Sequence, residues 1–308
     1  MISSTRTRTQ EPRLVPTPLG DLAVRVAGLG AAKVVLWPSI FTDGHIFDGL
    51  VSRMAAEATF FLVDGPGHGL SPGVARDFTM AEAASACLSV MDSFGLARAV
   101  VGGVSWGGLV AAEVALTAPD RVEGLVLMNT PMDVSGDHPK VRDQMIAFGA
   151  RWMGRRKVFR DGVASSFFDP GTLDSNPSYR QAFHGMLAAS DPVRLSAAVR
   201  SVILGGDPLR ARLARISVPS LLIAGKEDAL YPLEGQASAA LMLQDGRFEP
   251  VAGRHISPVE APDEVAASLR AFLGRDKEGG RLQSLARRGD RAARSYAPSC
   301  PGARRFAP

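Results

Sequence analysis

Short apolar runs alternate with longer segments of helical periodicity along most of the chain. The runs fall at 33–37 (KVVLW), 60–63, 98–102, Val122–Met128, 219–224 (PSLLIA) and 247–251. Helical patterns lie between or after them, at 46–57, 79–94, 107–117, 233–243 and 261–273. Strand-length runs rich in β-branched residues, alternating with helices, predict an α/β fold: a mostly parallel sheet with helices on both faces. Ahead of these, 14–19 and 22–27 flank Gly20-Asp21 and predict a hairpin. One stretch breaks the alternation. Residues 131–215 hold no strong strand, are rich in Met, Phe and Arg, and are interrupted by Pro139, Pro170, Pro177, Pro192 and Pro208. They are expected to form a helical cap, inserted into a core made of 14–130 and 216–274.

Charge separates the ends from the body. Of the formal net charge of +4, residues 1–13 contribute +2 and residues 275–308 contribute +6, which leaves 14–274 at −4. Basicity confined to the ends argues against a nucleic-acid-binding domain. The segment after 274 is rich in Arg, Gly, Ser, Ala and Pro, with few large apolar residues, and is expected to be a disordered basic tail; 1–13 is expected to be a shorter one. No apolar run reaches the ~18 residues of a membrane span, and the polar start lacks the apolar core of a signal peptide. Two distant cysteines, Cys87 and Cys300, make no disulfide framework, which fits a reducing compartment and favours the cytoplasm. No metal-ligand spacing appears, since Asp43-Gly44-His45 alone is too little. Gly28-Leu29-Gly30 does not continue as a dinucleotide loop: Lys33 stands where the third Gly belongs, and a strand follows instead of a helix. No cofactor is implied.

The strongest local chemistry is Gly103-Val104-Ser105-Trp106-Gly107. The G-x-S-x-G spacing lies between a predicted strand and a predicted Ala-rich helix, the setting in which a sharp turn lifts a serine above a sheet. Small neighbours let backbone come close, and the helix N-terminus points its positive end at developing negative charge. A serine hydroxyl needs a base. Of five histidines, His138, His184 and His255 follow Ser105. Only His255 sits in a loop after a strand of the core, just before the last helix; the other two fall in the cap. Asp228 lies in a loop after the run 219–224, next to Glu227; Asp133, after Val122–Met128, is the other candidate acid.

Three ordered motifs, G-V-S-W-G (103–107), G-K-E-D-A-L-Y-P (225–232) and G-R-H-I-S-P (253–258), resemble the α/β-hydrolase superfamily across 14–274, in its serine-nucleophile, esterase and enol-lactonase-like branch. The resemblance implies a triad of Ser105 as nucleophile, His255 as base and Asp228 as its orienting acid, with backbone N–H groups of Ile40 and Trp106 as the oxyanion hole. The segment D-G-P-G-H-G-L-S (64–71) matches a loop that shapes the turn beside the site, which makes His68 structural. The loop after the run 33–37 departs from the usual His-Gly start, carrying Pro38 and Ser39 instead; Ser at this place is shared with the enol-lactonase branch. Serine at the elbow argues against epoxide hydrolase and haloalkane dehalogenase chemistry, which use Asp there.

What remains is acyl chemistry on a small hydrophobic carboxylic ester or lactone, through an acyl-enzyme. A C–C bond hydrolase or thioesterase on the same triad, or a noncatalytic ligand-binding protein of the same fold, are the alternatives. Within the cap, Met145, Phe148, Trp152, Phe167, Phe168 and Phe183 are candidates to line an apolar substrate site or to pack the cap onto the core. Arg151, Arg155 and Arg156 read either as a carboxylate site or as a solvated face. Oligomeric state leaves no trace in the sequence.

Overall fold

The computed structural model describes residues 10–133, 141–205 and 208–274. Eight strands form one sheet. β1 (Arg13–Val15) and β2 (Leu22–Ala27) make the expected hairpin, with β1 cut short by Pro16 and Pro18. β3 (Ala32–Trp37), β4 (Ala58–Val63), β5 (Ala99–Val104), β6 (Val122–Met128), β7 (Ser220–Gly225) and β8 (Gly246–Val251) follow the apolar runs to within a residue or two. Their order is β1-β2-β4-β3-β5-β6-β7-β8. β2 is antiparallel to both neighbours, and β4 onward all pairings are parallel. β4, β5 and β7 are buried at every position, as strands covered on both faces must be.

The fold thus matches the expected α/β class. The expected 1–13 tail is corrected at its inner end: Arg13 belongs to β1, and Gln10 N–H bonds to Val26 O at 3.1 Å. The rest of that tail, and the expected tail 275–308, lie outside the described residues.

Helices follow the strands. α1 (Asp48–Met54) is entered through a 3-10 turn at Gly44–Phe47 and joins β3 to β4. α2 (Met80–Ser93) starts at a capping box in which Thr79 and Glu82 satisfy each other's backbone N–H. α3 (Trp106–Thr117) is buried from Trp106 to Ala115 and apolar except for Glu113, which pairs with Arg212 at 2.6 Å, as suits a helix enclosed by the sheet and by α2.

Between β6 and β7 the described residues form five α-helices, α4 (Val141–Met153), α5 (Lys157–Phe167), α6 (Pro170–Ser175), α7 (Pro177–Ala189) and α8 (Pro192–Ile203), and a 3-10 helix at Arg210–Arg215. The prolines here start helices. Pro170, Pro177 and Pro192 each occupy the first helical position behind a side-chain cap from Asp169, Asn176 or Asp191. After β7 come α9 (Leu233–Ala240), the short α10 (Ser257–Glu260) and α11 (Pro262–Leu273).

The topology decides where a site can form. From β3 the chain moves to β4 on one side; from β4, through α2, it returns to β5 on the other side of β3. Loops leaving the carboxyl ends of β3 and β5 therefore diverge at a switch point, where a crevice opens. Trp37, the last residue of β3, is in register with Gly103 in β5.

Candidate active site

Among the described residues only three non-glycine residues have positive φ: Phe41 at 61°, Ser105 at 54° and Asn129 at 47°. Each lies just past the carboxyl end of a strand, β3, β5 and β6 respectively. Such strain costs about 1–3 kcal/mol per residue and persists only where surrounding structure imposes it.

Ser105 is the turn between β5 and α3, with φ 54° and ψ −112°. Its N–H is held by Met128 O at 2.8 Å. Two glycines make the turn possible. A Cβ on Gly103 would fall 2.3 Å from Trp37 O, and one on Gly107 would fall 1.9 Å from the same oxygen. The β3 backbone thus lies directly against the elbow. Ser105 makes no side-chain cap to α3, and the first bonds back to its carbonyl come from Gly108 and Leu109, so that among the described residues nothing takes the Trp106 N–H at the helix N-terminus.

The loop after β3 supplies a second free N–H. Thr42 ties back to Ser39 O through both its N–H, at 3.3 Å, and its hydroxyl, at 2.9 Å. Phe41 N–H donates to His68 Nε2 at 2.9 Å, while His68 Nδ1 lies 3.0 Å from Pro66 O. No hydrogen bond among the described residues uses the N–H of Ile40, which lies between these anchors. His68 is fully buried, and burial lowers its pKa to about 4, so it stands neutral, donating from Nδ1 and accepting at Nε2. The usual His-Gly start is absent here, and a histidine from the loop after β4 braces the turn instead.

His255 and Asp228 meet at the ends of β8 and β7. His255 Nδ1 lies 3.0 Å from Asp228 Oδ2, with both side chains buried. β7 runs close beneath the histidine loop: a Cβ on Gly225 would fall 2.1 Å from Arg254 O. Asp228 also accepts from Leu230 N–H at 2.9 Å. Burial raises the pKa of its carboxyl, but the hydrogen bond and charge of His255, the Asn129 amide and the Leu230 N–H outweigh it, and the net shift is downward. Asp133, the other candidate acid, pairs with Arg210 at 2.7 and 2.9 Å. His184 lies on α7 with its Nε2 3.8 Å from Asp161, and His138 lies outside the described residues.

The imidazole is enclosed by aromatic rings. Phe167 stands 5.0 Å and Tyr231 5.4 Å from it, centroid to centroid, and the backbone N–H of His255 donates to Phe167 O at 3.2 Å. Phe167 also meets Phe41, which brings α5 over the β3 loop. Of the apolar residues expected to line or pack this region, Phe167, Phe168 and Phe183 are buried, whereas Met145, Phe148 and Trp152 face solvent.

Asn129 had no motif to announce it. Its side-chain nitrogen donates to Asp228 Oδ2 at 2.9 Å and to Arg254 O at 3.0 Å, joining the acid to the histidine loop. The one signal in the sequence was its place, a polar residue immediately after the apolar run of β6.

The model of the alpha/beta hydrolase family matches residues 34–268. A curated relative, the pimeloyl-[acyl-carrier protein] methyl ester esterase of Xanthomonas oryzae pv. oryzae, is 31% identical over 266 residues, covering 81% of this chain and 98% of its own. Among solved structures, a hydrolase from Pseudomonas aeruginosa superposes with a TM-score of 0.78 at 28% identity, over 85% of this chain and 98% of that one. The enol-lactonase from Burkholderia xenovorans shares the fold, with a TM-score of 0.77 at 24% identity over 85% of this chain and 99% of that one.

Proposed function

The chain belongs to the alpha/beta hydrolase family, and from that premise we propose that it is a serine hydrolase cleaving a small hydrophobic carboxylic ester or lactone through an acyl-enzyme. The hydrogen bond between His255 Nδ1 and Asp228 Oδ2 carries the reading. It commits one ring nitrogen to a buried carboxylate and leaves Nε2 to act as a base. Ser105, at the strained turn, is the nucleophile for that base.

Ser105 Oγ attacks the substrate carbonyl carbon as its proton passes to His255 Nε2. The oxyanion is met by the N–H groups of Ile40 and Trp106, for which no partner is found among the described residues; each donor of this kind is worth about 10²–10³ in rate. Collapse breaks the ester C–O bond, and the imidazolium returns its proton to the departing alkoxide. Water, deprotonated by the same nitrogen, then hydrolyses the acyl-serine. Asp228 stays ionised throughout and stabilises the imidazolium, as its lowered pKa requires. Helices α4 to α8, between β6 and β7, act as the cap, closing the site through Phe167. The relatives named as methyl ester esterases support an ester as substrate.

Intact-mass measurement after fluorophosphonate treatment tests the proposal. One adduct is expected on the wild type and none on Ser105→Ala, with much slower labelling of His255→Ala. Equal labelling of Ser105→Ala, or no labelling of any form, would overturn it. A panel of p-nitrophenyl esters and lactones of graded chain length then sorts the substrate.

A further inference from the structure

α4 is packed inside out. It turns small residues inward: Ala147 and Ala150 are buried on the side facing α8, and Gly149 lies against the Phe159 ring, where a Cβ would fall 2.6 Å from it. Its bulky apolar residues point the other way. Val141 is 72% exposed, Met145 68%, Phe148 62% and Trp152 65%. At 100° per residue these four fall within about 60° of one another, opposite Ala147 and Ala150, so they form one continuous ridge. Phe148 and Trp152 stand 6.4 Å apart, centroid to centroid, and the next helix adds Val158, 66% exposed. Scattered exposed apolar side chains need no explanation, but a contiguous row of this kind marks a surface that meets something other than water.

The charges beside the ridge are positive. Arg151 stacks on the Trp152 ring, its guanidinium carbon 4.5 Å from the centroid. Arg155 and Arg156, just past the end of α4, are exposed and make no salt bridge among the described residues. A second copy of the chain would bring these cations against their own equivalents, which disfavours a two-fold contact across the ridge. A helix face is convex, and the partner must accept a protruding row of Met, Phe and Trp between arginines. An acidic protein needs a matching groove to do so. A bilayer surface needs only apolar depth below anionic headgroups, and this composition is that of a helix lying in such an interface.

We propose that the exposed face of α4 docks the protein on an anionic lipid surface, with Met145, Phe148 and Trp152 entering the headgroup boundary and Arg151, Arg155 and Arg156 meeting the lipid phosphates. The cap that carries the ridge also carries Phe167 on α5, whose ring stands 5.0 Å from His255. A protein docked in this way holds its site next to the phase in which hydrophobic esters dissolve. The docking stands apart from the proposed chemistry, since vesicle binding is measured without turnover.

The test uses the full-length protein with vesicles of phosphatidylcholine alone, and of phosphatidylcholine with about one third phosphatidylglycerol. Sedimentation with the anionic vesicles, and at least tenfold less with the neutral ones, is expected. Of the three tryptophans, Trp37 and Trp106 are buried, so a blue shift on binding reports Trp152. The variant Met145→Ser/Phe148→Ser keeps that reporter and should lose binding and blue shift by tenfold or more. Arg155→Glu/Arg156→Glu should lose the preference for anionic vesicles. Both variants should hydrolyse or label with fluorophosphonate at the wild-type rate, which establishes that they are folded. The proposal is overturned if the wild type ignores anionic vesicles, or if Met145→Ser/Phe148→Ser binds them equally well. It is also overturned if the ridge proves to bury itself in a dimer that this variant dissociates, or if an acidic protein binds it while vesicles do not.

Discussion

Asn129 donates to Asp228 Oδ2 at 2.9 Å, the same oxygen that His255 Nδ1 meets at 3.0 Å. The acid is therefore held by two donors on one oxygen while Leu230 and Tyr231 N–H groups take the other. Asn129 also reaches Arg254 O, so it ties acid and histidine loop into one unit. Removing it should loosen the imidazole without touching substrate. Asn129→Ala is expected to lower kcat about tenfold or more, the scale of a hydrogen bond to a charged group, with KM little changed. Asn129→Gly serves as control for the positive φ and should lose as much activity but less stability. A kcat equal to wild type in either variant would count against this positioning role.

The loop that presents Ile40 depends on His68. With its ring neutral, His68 accepts the Phe41 N–H and keeps Phe41 at positive φ. His68→Leu removes the acceptor. Its fluorophosphonate labelling should slow by about 10², the cost of one misplaced oxyanion donor, while far-UV circular dichroism stays that of the wild type. His68→Gln offers an amide oxygen near the position of Nε2 and should recover part of the rate. Unchanged labelling of His68→Leu would show that the Ile40 N–H is placed by other contacts.

The same loop makes a prediction about pH. Burial and the nearby Asp43 raise Asp64 to about 6, while it accepts N–H groups of Gly44 and Leu70. A raised carboxyl pKa means that the folded chain keeps a proton the unfolded chain has released. Its contribution to stability therefore falls as pH rises from about 4 to about 6. Burial lowers His68 to about 4, so its contribution runs the other way: stability is lost as pH falls from about 6.5 to about 4. Each shift is worth about 3 kcal/mol, and in the wild type the two largely cancel. Asp64→Asn removes one of them. Its urea midpoint relative to wild type should rise between pH 4 and 6.5, and a difference independent of pH would refute the assignment.

The sheet was legible because its strands are the apolar runs themselves, and Ser105 because a strained turn demands glycines at fixed spacing. His255 and Asp228 were legible from their loops, which follow strands of the core. What the sequence hid has a common cause. Asn129 and the contact between His68 and Phe41 work through contacts between segments distant in sequence, and no local pattern encodes those. α4 misled for a different reason. Met145, Phe148 and Trp152 have the spacing of an inward-facing stripe, but the buried positions of α4 are Ala147, Gly149 and Ala150, and at Gly149 the Phe159 ring leaves no room for a Cβ. Pro170, Pro177 and Pro192 read as breaks and proved to be helix starts, since a proline lacks only the N–H that a first turn leaves unused.

Two glycine substitutions separate the elbow from the surface. Helix propensity alone favours Ala over Gly by about 1 kcal/mol at either Gly107 in α3 or Gly162 in α5. Nothing lies within 4 Å of a Cβ on Gly162, so the gain there is unopposed, and Gly162→Ala should raise the urea midpoint by an amount corresponding to about 0.5–1 kcal/mol. A Cβ on Gly107 meets Trp37 O at 1.9 Å and Pro38 O at 3.0 Å. Both are backbone atoms, the first held by the pairing of Trp37 with Gly103, and neither can swing aside as a side chain could. The clash should outweigh the propensity gain and cost about 1–3 kcal/mol or more. Because the displaced carbonyls lead directly into Ser39 and Ile40, Gly107→Ala should also slow fluorophosphonate labelling, which Gly162→Ala should leave alone. A Gly107→Ala protein as stable and as reactive as wild type would mean that β3 and the elbow are not in the contact on which the proposed oxyanion site depends.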